Sequence, residues 1–420
     1  MRTGSPRTLR EINDRAAIDA LLREGPLTRS ELEYVIGLSK PATAQLLTRL
    51  EQDAVVGKAG LRSGNRGPRA QRWAVNGDLA YVAAVDLTPR EADFVVADVA
   101  GTVLAEHRAT LPVHEGADVV GTFGEALSRV TTAAGLTLSQ LANVVIGAQG
   151  AFDPRTGLLS SAPHIPGWLG FDVPTRLSEV LGVAVTIEND VNLVAVEEMS
   201  EGKAVDVDDF VMVWLSEGVG GAVVIGRRLL RGTTGGGGEI DWMRVPDPAS
   251  VDTGDRWPAP GARFGDLVSS PAVVRLAAAH GITAGTGADA VSMAMSMAMS
   301  ITTARGAGGF LDDLARRVAG GIASLVAVAD PQLILLCGDT GRAGGEEFAA
   351  RVAGRLHELV LPRTPVGVAS VQGNAVRAGA LQSALATARA DVFGVITPAL
   401  LGPRTPAVGA PGQPGPAPHA

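Results

Sequence analysis

An order of elements that occurs twice limits this chain's possible folds more than any other feature of its sequence. YVAAVDL (81–87), DFVVADVAG (93–101) and TVLAEHRATL (102–111) read as three strands joined by tight turns. A helix over about 117–134 follows, then the strand NVVIGAQG (143–150). The second half repeats the plan with FVMVWLSEG (210–218), GGAVVIG (220–226) and RRLLRG (227–232), then helices, then the buried strand PQLILLCGD (331–339). Alternating strands and helices call for sheets covered by helices. A repeated order predicts two related α/β lobes with a cleft between them, and ligands in such folds bind near the carboxyl ends of strands.

A chain of 420 residues is too long for one ordinary core. The expected organisation is an N-terminal DNA-binding domain over 1–76, a first lobe over 77–200, a second over 201–395, and a Pro/Gly/Ala-rich tail over 396–420 too poor in apolar side chains to fold. Net charge is −8, which by itself argues against nucleic acid, but the distribution is uneven. Residues 1–75 hold 13 Lys/Arg and 8 Asp/Glu, a balance of +5, while the rest hold 23 against 36. A small basic head on an acidic body fits a DNA module attached to a sensing body. The single cysteine, Cys337, excludes an internal disulfide and a multi-cysteine zinc site. No apolar run is long and clean enough to span a bilayer, and MRTGSPRTLREIND lacks a signal-peptide stretch, so a soluble cytoplasmic protein is expected.

In the head, LREINDRAAIDALLREG places Leu9, Ile12, Ala16, Leu21 and Leu22 near one helical face, and Gly25-Pro26 stops the helix. Thr28 with Glu31 three residues on has capping-box spacing for a second helix that ends at Gly37. Ser39 caps a third, with Pro41 in its first turn. Leu46, Leu47 and Leu50 face inward, leaving Lys40, Thr43, Gln45 and Arg49 outward. This is helix-turn-helix order, in which the second helix of the pair enters the major groove. Gln45 is suited to adenine, and Thr43 to a thymine methyl or a phosphate. Arg29 and Ser39, at the starts of the two helices, are further candidates for DNA contact. The following hairpin carries Arg62, Asn65, Arg66 and Arg69 at a Gly-rich tip suited to phosphates or the minor groove, completing a wing. The competing reading is a solvated helical domain that binds protein.

Head and body together resemble the ROK family (repressors, open reading frames and kinases), in particular its regulator branch, over about residues 8–395. The segments that carry the likeness are GPLTRSELEYVIGLSKPATAQLLTRLEQDAVV (25–56), RGPRAQRWAVN (66–76), VVIGAQGAFDPRTGLLSSAPHIPGW (144–168), IENDVNLVAVEE (187–198), SEGVGGAVVIGRRLLRGTTGGGGEIDWMRV (216–245) and DPQLILLCGD (330–339). The resemblance implies a winged helix-turn-helix joined to a two-lobed actin-like ATPase fold. It places sugar contacts at Asn189 and Asp190, where kinases keep their catalytic base; the plain alternative is an Asx turn after a strand. Glu239 of Gly238-Glu239-Ile240-Asp241-Trp242 keeps the sugar-contacting carboxylate. Trp242 replaces the histidine of zinc-bearing members, and 246–265 holds neither Cys nor His, so no metal is expected. Trp242 either stacks on an apolar sugar face or fills the space of the missing metal. His164 lies in a loop that edges the sugar site, although a lone histidine there is more often structural.

Phosphate cradles need small residues and free N–H groups. The first phosphate hairpin of the kinases corresponds to Asp86-Leu87-Thr88-Pro89-Arg90-Glu91, without its glycine. The second reads Ser216-Glu217-Gly218-Val219-Gly220-Gly221, and the adenosine-side glycine run is reduced to Gly338-Asp339. Carboxylates at three places where triphosphate lies would weaken nucleotide binding. The Met-rich run VSMAMSMAMSITTA reads as a buried helix against another subunit or the lobe core. The resulting expectation is a regulator, by default a repressor of carbohydrate genes, without kinase activity or cofactor. Its partners would be a double-stranded operator, a sugar or sugar-derivative effector and further copies of itself, as a homodimer or homotetramer. The alternatives are an active sugar kinase with an added DNA-binding domain, and a regulator whose body only dimerises or docks a protein.

Overall fold

The computed structural model describes residues 6–62, 70–112, 118–153, 159–161, 168, 172–245, 261–298 and 304–394. The head comprises α1 (Pro6–Glu24), β1 (Leu27–Thr28), α2 (Arg29–Ile36), α3 (Lys40–Gln52), β2 (Val56–Arg62) and β3 (Ala70–Val75). Thr28 Oγ1 accepts from the Glu31 N–H at 3.3 Å, and the Glu31 carboxylate accepts from the Thr28 N–H at 2.8 Å, closing the expected capping box. Gly37, at φ +68°, ends α2 in the left-handed region that a side chain disfavours. β3 pairs antiparallel with β1 on one side and β2 on the other.

The head core gathers Ala17, Ile18, Leu21, Leu32, Leu46, Leu47 and Leu50. Three residues assigned inward from the sequence face out: Leu9 and Ile12 are 57% and 54% exposed, and Ala16 is exposed. For Leu9 and Ile12 the reason is length: α1 has 19 residues against 8 in α2, so its first turns run past the core, whereas Ala16 lies outside the face set by buried Ala17, Ala20 and Leu21.

The body begins with β4 (Tyr81–Leu87), β5 (Glu91–Asp98) and β6 (Val103–Thr110). It continues through α4 (Val119–Ala133), β7 (Leu141–Ala148), β8 (Ala151–Phe152), β9 (Leu159–Ser161), α5 (Val173–Leu181), β10 (Ala184–Asn189) and α6 (Asp190–Glu201). The second half holds β11 (Phe210–Leu215), β12 (Val219–Ile225), β13 (Arg228–Leu229), β14 (Arg244–Val245), β15 (Ala262–Arg263), α7 (Phe264–Val268) and α8 (Ser270–Ala279). It closes with α9 (Gly287–Ala298), α10 (Ala304–Ala329), β16 (Leu333–Cys337), α11 (Gly338–Ala343), α12 (Gly345–Leu359), β17 (Val366–Val368) and α13 (Ala375–Phe393).

The two sheets have one topology. Their orders are β6-β5-β4-β7-β10 and β13-β12-β11-β16-β17. In each, three antiparallel strands lead into two parallel ones. The outer face of the first is covered by α4 and α5 through Phe123, Leu127 and Leu177. That of the second is covered by the helices from α7 to α12 through Phe264, Phe310 and Phe348. Between the sheets lie α6 and α13. α6 puts Val194, Ala195 and Met199 against Phe210 and Met212 of the second sheet, and α13 puts Ala380, Ala384 and Leu385 against Val82, Val95 and Val145 of the first.

Two expectations change here. The last helix, assigned with the second lobe through 395, packs on the first sheet, because its run of alanines lies flat on strand backbone. The Met-rich helix is only half-buried: Met293 is 42% exposed, while Ala290, Val291 and Ala294 face the core. Alternate residues in a helix point about 200° apart, so they cannot share one inner face. The tail over 396–420 lies outside the described residues. Among the described residues, no helix is long and apolar enough to cross a membrane. Cys337 ends β16 fully buried, and burial pushes its thiol well above the ordinary range.

α6 and α13 meet backbone to backbone. A methyl group at Gly379 would overlap the Leu193 carbonyl oxygen. Gly379→Ala is expected to force the helices apart and cost about 1–3 kcal/mol, the usual range for overpacking; a urea-unfolding midpoint unchanged from the parent would contradict that.

Candidate functional site

The β4, β10 and α6 ends, together with the loop after β13, bring three carboxylates into one neighbourhood: Asp86, Asp190 and Glu239. Asp190 opens α6. Its carboxyl is raised to about 7, chiefly by desolvation, with Asp86 and Glu239 adding repulsion, while the Val191 N–H it accepts at 2.8 Å opposes the shift. Burial likewise raises Asp86, which accepts from Asn374 Nδ2 at 2.9 Å and is repelled by Asp93. Glu239 is the exposed member of the three, and partial desolvation of its carboxyl raises it. The site therefore favours neutral hydrogen-bonding groups, and polyol hydroxyls can serve both as donors to these carboxylates and as acceptors when one is protonated.

Asn189 is the N-cap of α6: its Oδ1 accepts from Val191 N at 2.9 Å and Asn192 N at 3.2 Å, and its Nδ2 donates to Gly150 O at 3.2 Å. The Asx-turn role weighed from the sequence is thus occupied, leaving one amide hydrogen for a ligand. Beside it Glu188 is saturated. Its Oε1 accepts from Asn189 N and Asn192 Nδ2, and its Oε2 accepts from Arg231 Nε at 2.5 Å. That bridge ties the glycine run 235–238 of the second half to β10 of the first. Gly238 sits at φ +99° with its Cα against the Gly221 carbonyl, where no side chain fits, and this close approach presents Glu239 to the site.

Trp242 does not fill a buried space, and one face of its ring is taken. It is 65% exposed, and the Arg263 guanidinium stacks 3.8 Å from its ring centroid while also binding Asp241. An ion pair on a hairpin holds the ring at the surface. His164 lies outside the described residues. Among the described residues, no group of three or more His, Cys, Asp or Glu is placed to hold a metal ion.

The three carboxylates expected to obstruct triphosphate are also placed differently. Glu91, Glu217 and Asp339 are all exposed, so water hydrates their charge and weakens the repulsion. Asp339 accepts from Ser216 Oγ at 3.3 Å across the β11–β12 turn. The buried carboxylate of the first motif is Asp86. Asn374, which binds it, gave no local sequence signal, because it lies in the loop before α13 and reaches the site only through the fold.

On the head, Ser39, Lys40 and Gln45 are exposed along the start of α3, as expected. Arg29 is exposed and paired with Glu33 at 3.3 Å. Thr43 is not outward: it is fully buried, and its Oγ1 donates to the Ser39 carbonyl at 3.2 Å. It lies four residues before Leu47 on the same inner face, which makes it part of the core. Arg49 is half-buried and paired with Asp14 inside the head, while Arg62 is exposed and paired with Glu31 at the surface. Thr48, missed in the sequence, is exposed one turn beyond Ala44. Asn65, Arg66 and Arg69 lie outside the described residues.

The sequence profile described as "ROK family" matches residues 82–384. The xylose repressor of Bacillus subtilis (strain 168) is 22% identical over 237 residues, which are 56% of this chain and 61% of the repressor's length. Among solved structures, a ROK family transcriptional regulator homologous to the E. coli MLC protein is superimposed with a TM-score of 0.67 at 17% identity, covering 93% of this chain and 99% of that one. A ROK hexokinase from Thermus thermophilus gives 0.59 at 25% identity, covering 72% and 96%.

Asp190 and Glu197, the latter also raised by burial to about 7, both hold protons in the fold that the unfolded chain releases near pH 4. Their stabilisation is complete below that pH and is lost as pH rises through 7. Thermal midpoints are expected to fall between pH 5.5 and 8, and Asp190→Asn to flatten part of that fall; an equally steep profile in the variant would contradict the assignment.

Proposed function

Because residues 82–384 place this chain in the ROK family, we propose that it is a DNA-binding transcriptional regulator whose body binds a sugar or sugar derivative without phosphorylating it. The observation that carries the reading is coverage. The regulator's fold accounts for 93% of this chain, head included, whereas the hexokinase's accounts for 72%. We read the head as a winged helix-turn-helix that places α3 in the major groove, with Lys40 on a phosphate and Gln45 on a base edge. Repression of carbohydrate genes follows the xylose repressor likeness. A homodimer or homotetramer in the cytoplasm is the setting in which two heads meet a two-fold operator. Effector control requires that the ligand bind one arrangement of the body better than the other.

A second reading has one observation in its favour. Asp190 stands where a catalytic base would stand, with a proton affinity near neutrality, which suits general-base work on a sugar hydroxyl. Against it, the Asp86–Glu91 hairpin lacks glycine, and Pro89 has no N–H to offer a phosphate.

Two measurements separate the readings. With the full chain on a fragment of its own promoter, affinity is expected to fall steeply with salt, and Lys40→Ala to lower the log–log slope by about 1. Salt-insensitive binding, or none, would remove the DNA-binding role. In thermal shift, xylose or glucose is expected to stabilise the protein and ATP to leave it unchanged. Turnover of ATP with either sugar, abolished by Asp190→Asn, would establish the kinase instead.

A further inference from the structure

The geometry points to α13 as the rod that links the carboxylate site to the head, with Asn374 as the positioning residue at its sensing end. The inference rests on the regulator reading and names how its two sites communicate.

At one end, Asn374 caps the helix through Oδ1, which accepts from Arg377 N at 3.0 Å. Its amide donates to Asp86 at 2.9 Å and to Asp93 at 3.1 Å. Arg377 anchors the same turn on Asp93 at 2.9 Å and Glu106 at 2.7 Å. A ligand hydroxyl bound to Asp86 competes for the same oxygen lone pairs, so occupancy changes what holds the start of the helix.

Along its length α13 cannot bend freely. Gly379 leaves it in backbone contact with α6 at Leu193, one turn after Asp190. Ala380 and Ala384 are fully buried, and the Ala384 carbonyl accepts from Asn143 Nδ2 at 3.1 Å. Nineteen helical residues span about 28 Å. A close-packed helix of small residues shifts as a unit rather than absorbing displacement.

At the far end, half-buried Arg389 donates to the carbonyls of Val99 at 2.9 Å and Ala100 at 3.1 Å. Phe393 then packs against both the inner core of the first sheet and the core of the head. Gly394 ends the helix at φ +64° beside the Arg15 guanidinium of α1. One helix therefore has its cap on Asp86 and its last aromatic ring in the domain that carries α3.

Hydrogen–deuterium exchange on the full chain, with neither DNA nor sugar present, tests the link independently of the regulator reading. Asn374→Ser keeps a hydroxyl cap but withdraws the amide from Asp86. It is expected to speed exchange at least threefold in Ala17–Leu22 and Leu46–Leu50 of the head. Arg176→Ala, on the solvent side of α5, is expected to leave both segments unchanged. Coupling is reciprocal, so Phe393→Ala is expected to speed exchange in the 87–91 turn beside Asp86. This second variant also decides the matter should Asn374→Ser not fold. Head exchange unaltered by Asn374→Ser in a folded protein, or a 87–91 turn unaltered by Phe393→Ala, overturns the inference.

Discussion

Two helices crossing with no side chain between them set the spacing of everything else. At Gly379 the α13 backbone rests on the Leu193 carbonyl of α6. Beyond the crossing, α6 packs mainly on the strands around Phe210 and Met212 and α13 mainly on those around Val82 and Val145. The two sheets are held at one fixed separation by this pair. Because α6 begins at Asp190 and α13 is capped by Asn374, the same crossing fixes how closely Asp190 and Asp86 approach.

The groups whose proton affinity is raised in that neighbourhood are all carboxylates. Asp86, Asp190 and Glu239 are raised by desolvation, Arg377 and Arg108 oppose the shift only at Asp86, and Arg231 is held by Glu188. An anionic ligand would meet partly ionised, poorly hydrated carboxylates, whereas a neutral polyol would supply the donors they lack. This preference comes chiefly from the half-buried Asp86 and Asp190. The exposed Glu91, Glu217 and Asp339, conspicuous in the sequence, add little because water screens them.

Much of this was legible beforehand, and for identifiable reasons. Strand runs such as YVAAVDL and FVMVWLSEG declare themselves by composition and by the turns that bound them, so the doubled plan could be read directly. Thr28 and Glu31 form their capping box through contacts three residues apart, which sequence spacing encodes. What was lost depends on distant neighbours. Thr43 looks like a surface polar residue until the turn of α3 is fixed by Leu46, Leu47 and Leu50; it then falls inside and satisfies its hydroxyl on Ser39. Leu9 and Ile12 look like core until the length of α2 is known. Asn374 carries no motif, and only the return of α13 to the first sheet brings it to Asp86.

The lone thiol offers a use that nothing in its immediate chemistry announces. Cys337 ends β16 beside β11 and shares the inner core of the second sheet with α6, sealed from solvent and held protonated by its surroundings. A maleimide or similar alkylating reagent can reach it only when that layer parts. The rate at which the native protein takes up such a label therefore times the breathing of its centre, in a chain where no other cysteine competes for the signal.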